Sequence, residues 1–193
     1  MSTDLVDQLA GLPTDAPLAL LRYRRADAHT HTAASHAALF APAVPGAVSL
    51  VERRALGLYV AGLHRAEEHV AHFTATLGDA TLAALVAEAV RETLATGPAG
   101  HYPPGPLSPE DTPPPAFALG APLAAALGPR LVAGLAHAHA MVFHPRDASP
   151  EAFAALAAAG WDADGIVTLS QIVAFLAYQI RLVAGLRALA ASA

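Results

Sequence analysis

The sequence predicts an all-α fold, and three observations lead to that prediction. Alanine, the strongest helix former, supplies 49 of the 193 residues, and the chain is 54% hydrophobic. No stretch alternates polar and apolar residues as a strand does. Proline clusters between two regions of helical pattern. We therefore expect a single domain over residues 1–193, a helical bundle with one half at about 16–96, a Pro-rich connection at 97–115 and a second half at about 116–193.

The first half is predicted to begin with a helix over residues 26–40. Asp27 lies near its start, where an acidic side chain suits the helix dipole, and Pro42 lies just beyond its end. Ser49 and Glu52 then have the spacing of a capping box. They predict the start of a second helix.

That second helix is expected to be buried around most of its circumference. Nearly every residue from 55 to 63 is apolar. Residues 67–77 continue or restart the helix. Asp79 then caps a further helix that runs to about Thr96, where Gly97 and Pro98 stop it.

Residues 97–115 contain eight of the 16 prolines. Proline removes a backbone donor and clashes with the preceding turn, so no helix is expected there. We predict an ordered, extended connection that crosses the surface between the two helical halves. A disordered linker is the alternative.

The second half is predicted to contain a helix at about 127–143, ending before His144. Ser149 followed by Pro150 is typical of a helix start, and this helix is expected to end near Ala159, before Gly160. A long terminal helix follows, with an acidic residue at its beginning and apolar residues on most faces. Such a helix is typical of the centre of a bundle or of an interface.

Three details of this terminal segment are predicted separately. Its most apolar part, residues 165–180, falls short of the roughly 20 residues that span a bilayer. Trp161 is interpreted as a packing residue with its indole N–H at the wet edge. Arg181 and Arg187 are candidates for ion pairs with acids in a subunit interface.

Composition excludes several classes of function. A net charge of −5 and a pI near 6.0 give no basic surface for nucleic acid. The absence of cysteine excludes disulfides and thiol chemistry carried by this chain. The acidic N-terminus lacks the pattern of a signal peptide, so a cytoplasmic protein without a membrane segment is expected. Its mean hydropathy of +0.42 favours a homo-oligomer, either a dimer, a trimer or a hexamer.

The stretch "SLVERRALGLYVAGLHRAEEHVAHF" resembles the central motif of the alkylhydroperoxidase and carboxymuconolactone decarboxylase superfamily. Ser49, the acidic and basic residues at 52–54, the apolar helix and His72 follow the outline of that motif. The ending "AALAAAGWDADGIVTLSQIVAFLAYQIRLVAGLRAL" resembles the peroxidase-related group within the superfamily. The resemblance implies an oligomeric, all-α helical bundle.

The departures from this motif concern its redox residues. When this chain is matched to the motif that it resembles, Ala66 and His69 stand at the positions of the two peroxidase cysteines. The proton-relay histidine falls on Phe73 and the relay glutamate on Arg54. Such a peroxidase needs one thiolate to attack the peroxide and a second thiol to resolve the product. Peroxide reduction by that mechanism is therefore excluded.

The decarboxylase branch lacks cysteine, and its corresponding helix carries Glu-x-x-x-His. Glu68 and His72 keep that spacing, which places both on one helix face for general acid–base work. A solvated helix face is the alternative interpretation. Further candidates for the pocket are His64, His69, Phe73 and Arg54.

No metal and no cofactor are predicted. His69 and His72 lie one helical turn apart and supply only half of a metal site. In a helix His29 and His31 point in different directions, whereas His29 and His36 share a face.

Three functions remain open at this stage. The chain either binds or acts on a small organic molecule in a pocket lined by His and Glu, or is a non-catalytic structural subunit. As a structural subunit, it would be a partner of a cysteine-bearing relative. The third is a cofactor-free acid–base enzyme of the decarboxylase type. Whether the protein is an enzyme is left open.

Overall fold

The structure, a computed structural model, describes residues 4–13, 20 and 22–192. Over these residues the fold is entirely helical, without a β-strand, which confirms the predicted all-α class. The described ranges contain two short 3₁₀ turns and nine α-helices: α1 (Leu5–Ala10), α2 (Ala26–Phe40), α3 (Leu50–Leu63), α4 (Glu67–Leu77), α5 (Ala80–Thr93), α6 (Ala121–Leu127), α7 (Pro129–Phe143), α8 (Pro150–Ala158) and α9 (Ala163–Ala191).

Helix α3 is the centre of the bundle. The predicted capping box starts it: the Ser49 hydroxyl accepts from the Glu52 N–H, and the Glu52 carboxylate accepts from the Ser49 N–H at 2.8 Å. The helix packs against α2, α4, α5, α7 and α9 and is buried almost all round, as its apolar sequence predicts. Close packing needs glycine, because a Cβ at Gly57 would lie 2.7 Å from the ring of Phe73.

Several helix ends differ from their predicted positions. Helix α5 ends at Thr93, three residues before the predicted end at Thr96. It therefore stops before it reaches Gly97, the residue that was expected to end it. The helix predicted from residue 127 begins at Pro129, because Gly128 adopts a φ of 80° and separates it from the additional helix α6. Residues 26–40 are helical over the predicted range.

The proline-rich connection follows an extended path against the second half. The Ala99 N–H donates to the Phe143 carbonyl at 2.7 Å, and Gly100 pairs with Thr112 in an isolated antiparallel bridge. The guanidinium of Arg146 stacks 4.0 Å above the ring of Tyr102. These contacts hold the connection to the end of α7.

Arg130 on α7 ties the two halves together. Its Nε donates to the Glu52 carboxylate at 2.6 Å, and its other nitrogens donate to the carbonyls of Ala47 and Gly160. The guanidinium also lies 4.1 Å above the ring of Trp161. Trp161 is only 2% exposed and its indole N–H donates to the Arg130 carbonyl, so the prediction of an N–H at the wet edge was wrong. A backbone oxygen, rather than water, accepts this N–H.

Helix α9 has 29 residues, which is longer than the apolar stretch considered in the sequence. By length and composition alone the whole helix could cross a membrane, a property that it shares with the core helices of soluble proteins, whereas the predicted stretch of residues 165–180 is shorter. One face contributes Leu169, Ile172 and Leu176 to the main core, and its C-terminal part packs against α1. The large apolar residues that remain exposed on α9 are Val167, Tyr178 and Leu189.

Candidate functional site

The site begins at the tight turn between α3 and α4. His64 caps the end of α3, and Arg65 adopts a left-handed φ of 55°. This conformation is about 1–2 kcal/mol less favourable for a residue with a Cβ, so contacts in the surrounding turn must stabilise it. The Arg65 N–H donates to the Gly62 carbonyl at 2.9 Å and the Ala66 N–H to the Ala61 carbonyl at 3.0 Å.

A cavity of about 320 Å³ lies between this turn, the start of α4 and the C-terminal part of α9. Positions 66 and 69, on which the resemblance places the two cysteines, both line it. Alanine at position 66 leaves space, while His69 supplies a polar wall. The lining residues are His64, Arg65, Ala66, Glu68, His69, Ile180, Val183, Ala184 and Arg187.

The imidazole of His69 is the most unusual group in this wall. Its residue is 1% exposed, and neither ring nitrogen makes a hydrogen bond. Burial, with smaller contributions from the nearby His72 and His64, lowers the pKa of His69 to about 4. Burial, with a smaller contribution from Arg181, also lowers the pKa of His64, whose Nε2 has no partner. Both imidazoles are therefore neutral near pH 7.

Two more histidines lie behind the cavity. The ring centre of His36, on α2, is 5.7 Å from that of His72, on α4. Burial is the main cause that lowers the pKa of His36 to about 4, and burial also lowers the pKa of His72. Gln179 of α9 faces His36 and partly offsets the lowering of the pKa of His36. Neither of its amide atoms reaches hydrogen-bonding geometry. We call His36, His64, His69, His72 and Gln179 the histidine cluster.

The structure does not join Glu68 and His72 as an acid–base pair. The Glu68 carboxylate forms an ion pair with Arg187 of α9, and no hydrogen bond links it to His72 among the described contacts. The ring of His72 instead packs against those of His36 and Phe73. A charged guanidinium is the stronger partner for a carboxylate, which explains the difference from the predicted dyad. Arg187 pairs within its own chain.

Phe73 and Arg54 do not line the cavity. Phe73 is 1% exposed and packs in the core, 4.8 Å from the ring of Phe40. Arg54 is half-buried, with no hydrogen bond or ion pair to the described residues. The neighbouring Arg53 is the structurally engaged arginine: it is buried and donates to the carbonyls of Leu39, Pro45 and Val48.

The other histidines have separate surroundings. His29 lies 3.3 Å from a carboxylate oxygen of Asp4, and His31 is exposed. Asp4, Asp7 and His29 are the only three potential metal ligands within the described chain whose atoms lie within 4.8 Å of one another. The guanidinium of Arg22 donates to both carboxylates, so this group is an ion-pair network.

Sequence reasoning identified the local part of the site and missed its distant part. His64, Glu68 and His69 line the cavity as expected for pocket residues. His36 and Gln179 were not predicted, since they come from helices far apart in the chain. The only available signal for Gln179 was an uncharged polar residue within an apolar helix.

Comparison with models of known protein families, with curated proteins and with solved structures found no match. The resemblance to the alkylhydroperoxidase-like superfamily therefore stays a prediction from the sequence.

Proposed function

We propose that this chain is a cysteine-free member of the alkylhydroperoxidase-like superfamily, in its peroxidase-related group, that binds a small organic acid in the cavity beside α4. The observation that carries the proposal is that His69 lines the cavity and that neither of its ring nitrogens has a hydrogen-bond partner. Two buried ring nitrogens without partners cost free energy unless a ligand or water satisfies them.

The charges around the cavity favour an anion. Arg65 and Arg187 line it, and Arg181 lies close enough to His64 to lower the pKa of that imidazole. The single carboxylate in the wall, that of Glu68, is already paired with Arg187. The arginine side chain of Arg65 forms no ion pair or hydrogen bond with the described residues. A carboxylate ligand would complement this excess of positive charge.

The size of the cavity limits the ligand. About 320 Å³ lies at the lower end of the range for small-molecule pockets. An organic acid of a few carbon atoms suits this volume, with its carboxylate near Arg65 and its apolar part against Ile180 and Val183. The absence of cysteine means that no thiol step acts on the ligand.

A catalytic form of the same proposal uses His69 as a general base. A neutral imidazole is in the form that accepts a proton, but with a pKa of about 4 it is a weak base near pH 7, so this form requires the bound molecule to raise that pKa. This is the cofactor-free acid–base alternative, with His69 in place of the predicted His72. The alternative role as a structural partner of a cysteine-bearing relative requires the cavity to be covered by that relative.

The proposal is tested by calorimetry with a panel of two- to six-carbon carboxylic acids and the matching neutral amides. We expect acids to bind, amides to bind at least about 10-fold more weakly, and His69→Leu to abolish binding while the fold is kept. Arg65→Gln should weaken binding, whereas Arg24→Gln, an exposed arginine outside the cavity, should not. Binding that survives His69→Leu, or the absence of any acid that binds, would show the proposal to be wrong.

A further inference from the structure

Three of the clustered imidazoles form a nitrogen-rich group on rigid helices. His69 and His72 are three residues apart on α4, which places both rings on one face of that helix. His36 approaches them from α2, with its ring centre 5.7 Å from that of His72. Gln179 completes the group from α9 and is 1% exposed without a partner for either amide atom.

We propose that His36, His69 and His72 bind a divalent first-row transition metal, with Zn²⁺ as the representative ion. Neutral imidazole is a preferred ligand of such metals, and three imidazoles leave a fourth position open for water or another ligand. Gln179 faces His36, and a small movement of its side chain would let the amide hydrogen-bond that imidazole. The site shares His69 with the organic-acid proposal, but zinc is titrated without an acid and the acids without a metal, so the two proposals can fail separately.

The spacing of the His36 and His72 rings supports this assignment. Two imidazoles on one tetrahedral zinc have ring centres roughly 5 Å apart, given a Zn–N distance of about 2 Å. The separation between His36 and His72 is close to that value. The nitrogens of all three residues do not yet lie within 4.8 Å of one another, so a side-chain rotation must accompany binding.

His69 differs from the other core histidines because both of its ring nitrogens are buried without a partner. His139 is as deeply buried and its Nδ1 is also unpartnered, but its Nε2 bonds to the Thr93 carbonyl. In His36 the Nδ1 is unpartnered and buried. A metal would bind one nitrogen of each ring. The competing group of Asp4, Asp7 and His29 is already neutralised by Arg22.

The test uses the full chain after removal of metals with a chelator. Calorimetry with ZnCl₂ is expected to give one equivalent bound, and CoCl₂ is expected to produce the visible absorption of a four- or five-coordinate nitrogen site. His36→Ala and His69→Ala should each weaken zinc binding at least about 100-fold, because two imidazoles are only part of a site. His31→Ala, exposed on the same helix as His36, is the matched control and should bind as the wild type does.

Three results would overturn the proposal: no zinc bound at micromolar concentration, undiminished binding in His36→Ala and His69→Ala, or loss of binding in Asp4→Asn. Circular dichroism checks that each variant is folded. If His69→Ala fails to fold, His72→Ala, at a half-exposed position, decides the question by the same titration. Buried water alone at the cluster corresponds to the first result.

Discussion

At the scale of single residues, the guanidinium of Arg53 is the clearest structural determinant. It lies buried, forms no ion pair with a carboxylate of the described residues, and donates to three backbone carbonyls at 2.8–2.9 Å. Burial lowers the pKa of Arg53, but arginine keeps its charge. The three bonds connect the end of α2 with the loop that leads into α3. A buried charge is stable here because each of the three guanidinium nitrogens donates to a backbone oxygen.

We predict that Arg53→Met lowers the free energy of unfolding by about 3 kcal/mol, because three carbonyls lose a charged donor. The matched control is Arg54→Met, which removes a neighbouring guanidinium that has no such bonds and should change stability by less than about 1 kcal/mol. Urea denaturation of both variants measures the difference. Equal effects at the two positions would contradict this account of Arg53.

A second residue-scale prediction concerns pH. Burial lowers the pKa of His139 below its usual 6.5, and the nearby His144 adds to this, although the bond to the Thr93 carbonyl opposes it. The imidazole is neutral in the fold and is protonated in the unfolded chain below pH 6.5. Its contribution to stability is therefore complete above pH 6.5 and is lost as pH falls toward the folded pKa.

We expect the free energy of unfolding to fall less steeply between pH 7 and pH 5 in His139→Gln than in the wild type. Glutamine keeps a donor near the Thr93 carbonyl but takes up no proton. Each proton bound on unfolding contributes a slope of about 1.4 kcal/mol per pH unit. Urea denaturation at several pH values, with a chelator present, gives the slopes. Equal slopes of unfolding free energy against pH in the two proteins would show that the fold does not lower the pKa of His139.

At the scale of helices, two glycines with different surroundings make a matched pair. A Cβ at Gly57 of α3 would press against the ring of Phe73, at 2.7 Å, whereas a Cβ at Gly185 of α9 would meet nothing within 4 Å. We predict that Gly57→Ala destabilises the fold by about 1–3 kcal/mol through overpacking. Gly185→Ala should stabilise it by about 0.5–1 kcal/mol, because alanine is the better helix former. Thermal unfolding of both variants measures the opposite signs, and a stabilised Gly57→Ala would contradict the close packing of α3 on α4.

Helix starts were the part of the fold that the sequence predicted well. Ser49, Asp79, Ser149 and Asp162 each cap a helix with a side-chain oxygen, as their positions suggest. These signals are local, since the cap and the backbone N–H that donates to it lie within three residues of each other. The end of α5 and the break at Gly128 were less predictable, because alanine-rich segments continue a helical pattern past the point where tertiary packing stops it.

The site was predictable only within α4 and the turn before it. The distinction between Arg53 and Arg54 depends on where the end of α2 lies relative to α3, which no local pattern records. The partner of Glu68 is likewise remote: Arg187 follows it by more than a hundred residues. Local spacing favoured His72 instead, since it lies four residues along the same helix.

At the scale of the whole molecule, α9 leaves an apolar face exposed. The large exposed side chains on it include Val167, Tyr178 and Leu189, and the whole chain has a mean hydropathy of +0.42. Such surface is usually buried between subunits. We predict that the protein self-associates and that Val167→Glu shifts it toward the monomer.

Light scattering after size-exclusion chromatography measures the molar mass of the protein in solution and so its state of association. The control is Thr81→Glu, which adds the same charge at an exposed position of α5. A monomeric wild type at tens of micromolar, or an equal response of the two variants, would show that the face of α9 is not a subunit interface.

Arg130 joins the two halves through its hydrogen bonds to the Glu52 carboxylate and the Ala47 carbonyl. These bonds do not depend on the peptide chain that connects the halves. Helix α3 adds a broad apolar contact with α7 and α9. A nick between Pro104 and Gly105 would therefore leave two fragments that stay associated. Expressed separately and mixed, the two pieces would be expected to complement each other and rebuild one bundle.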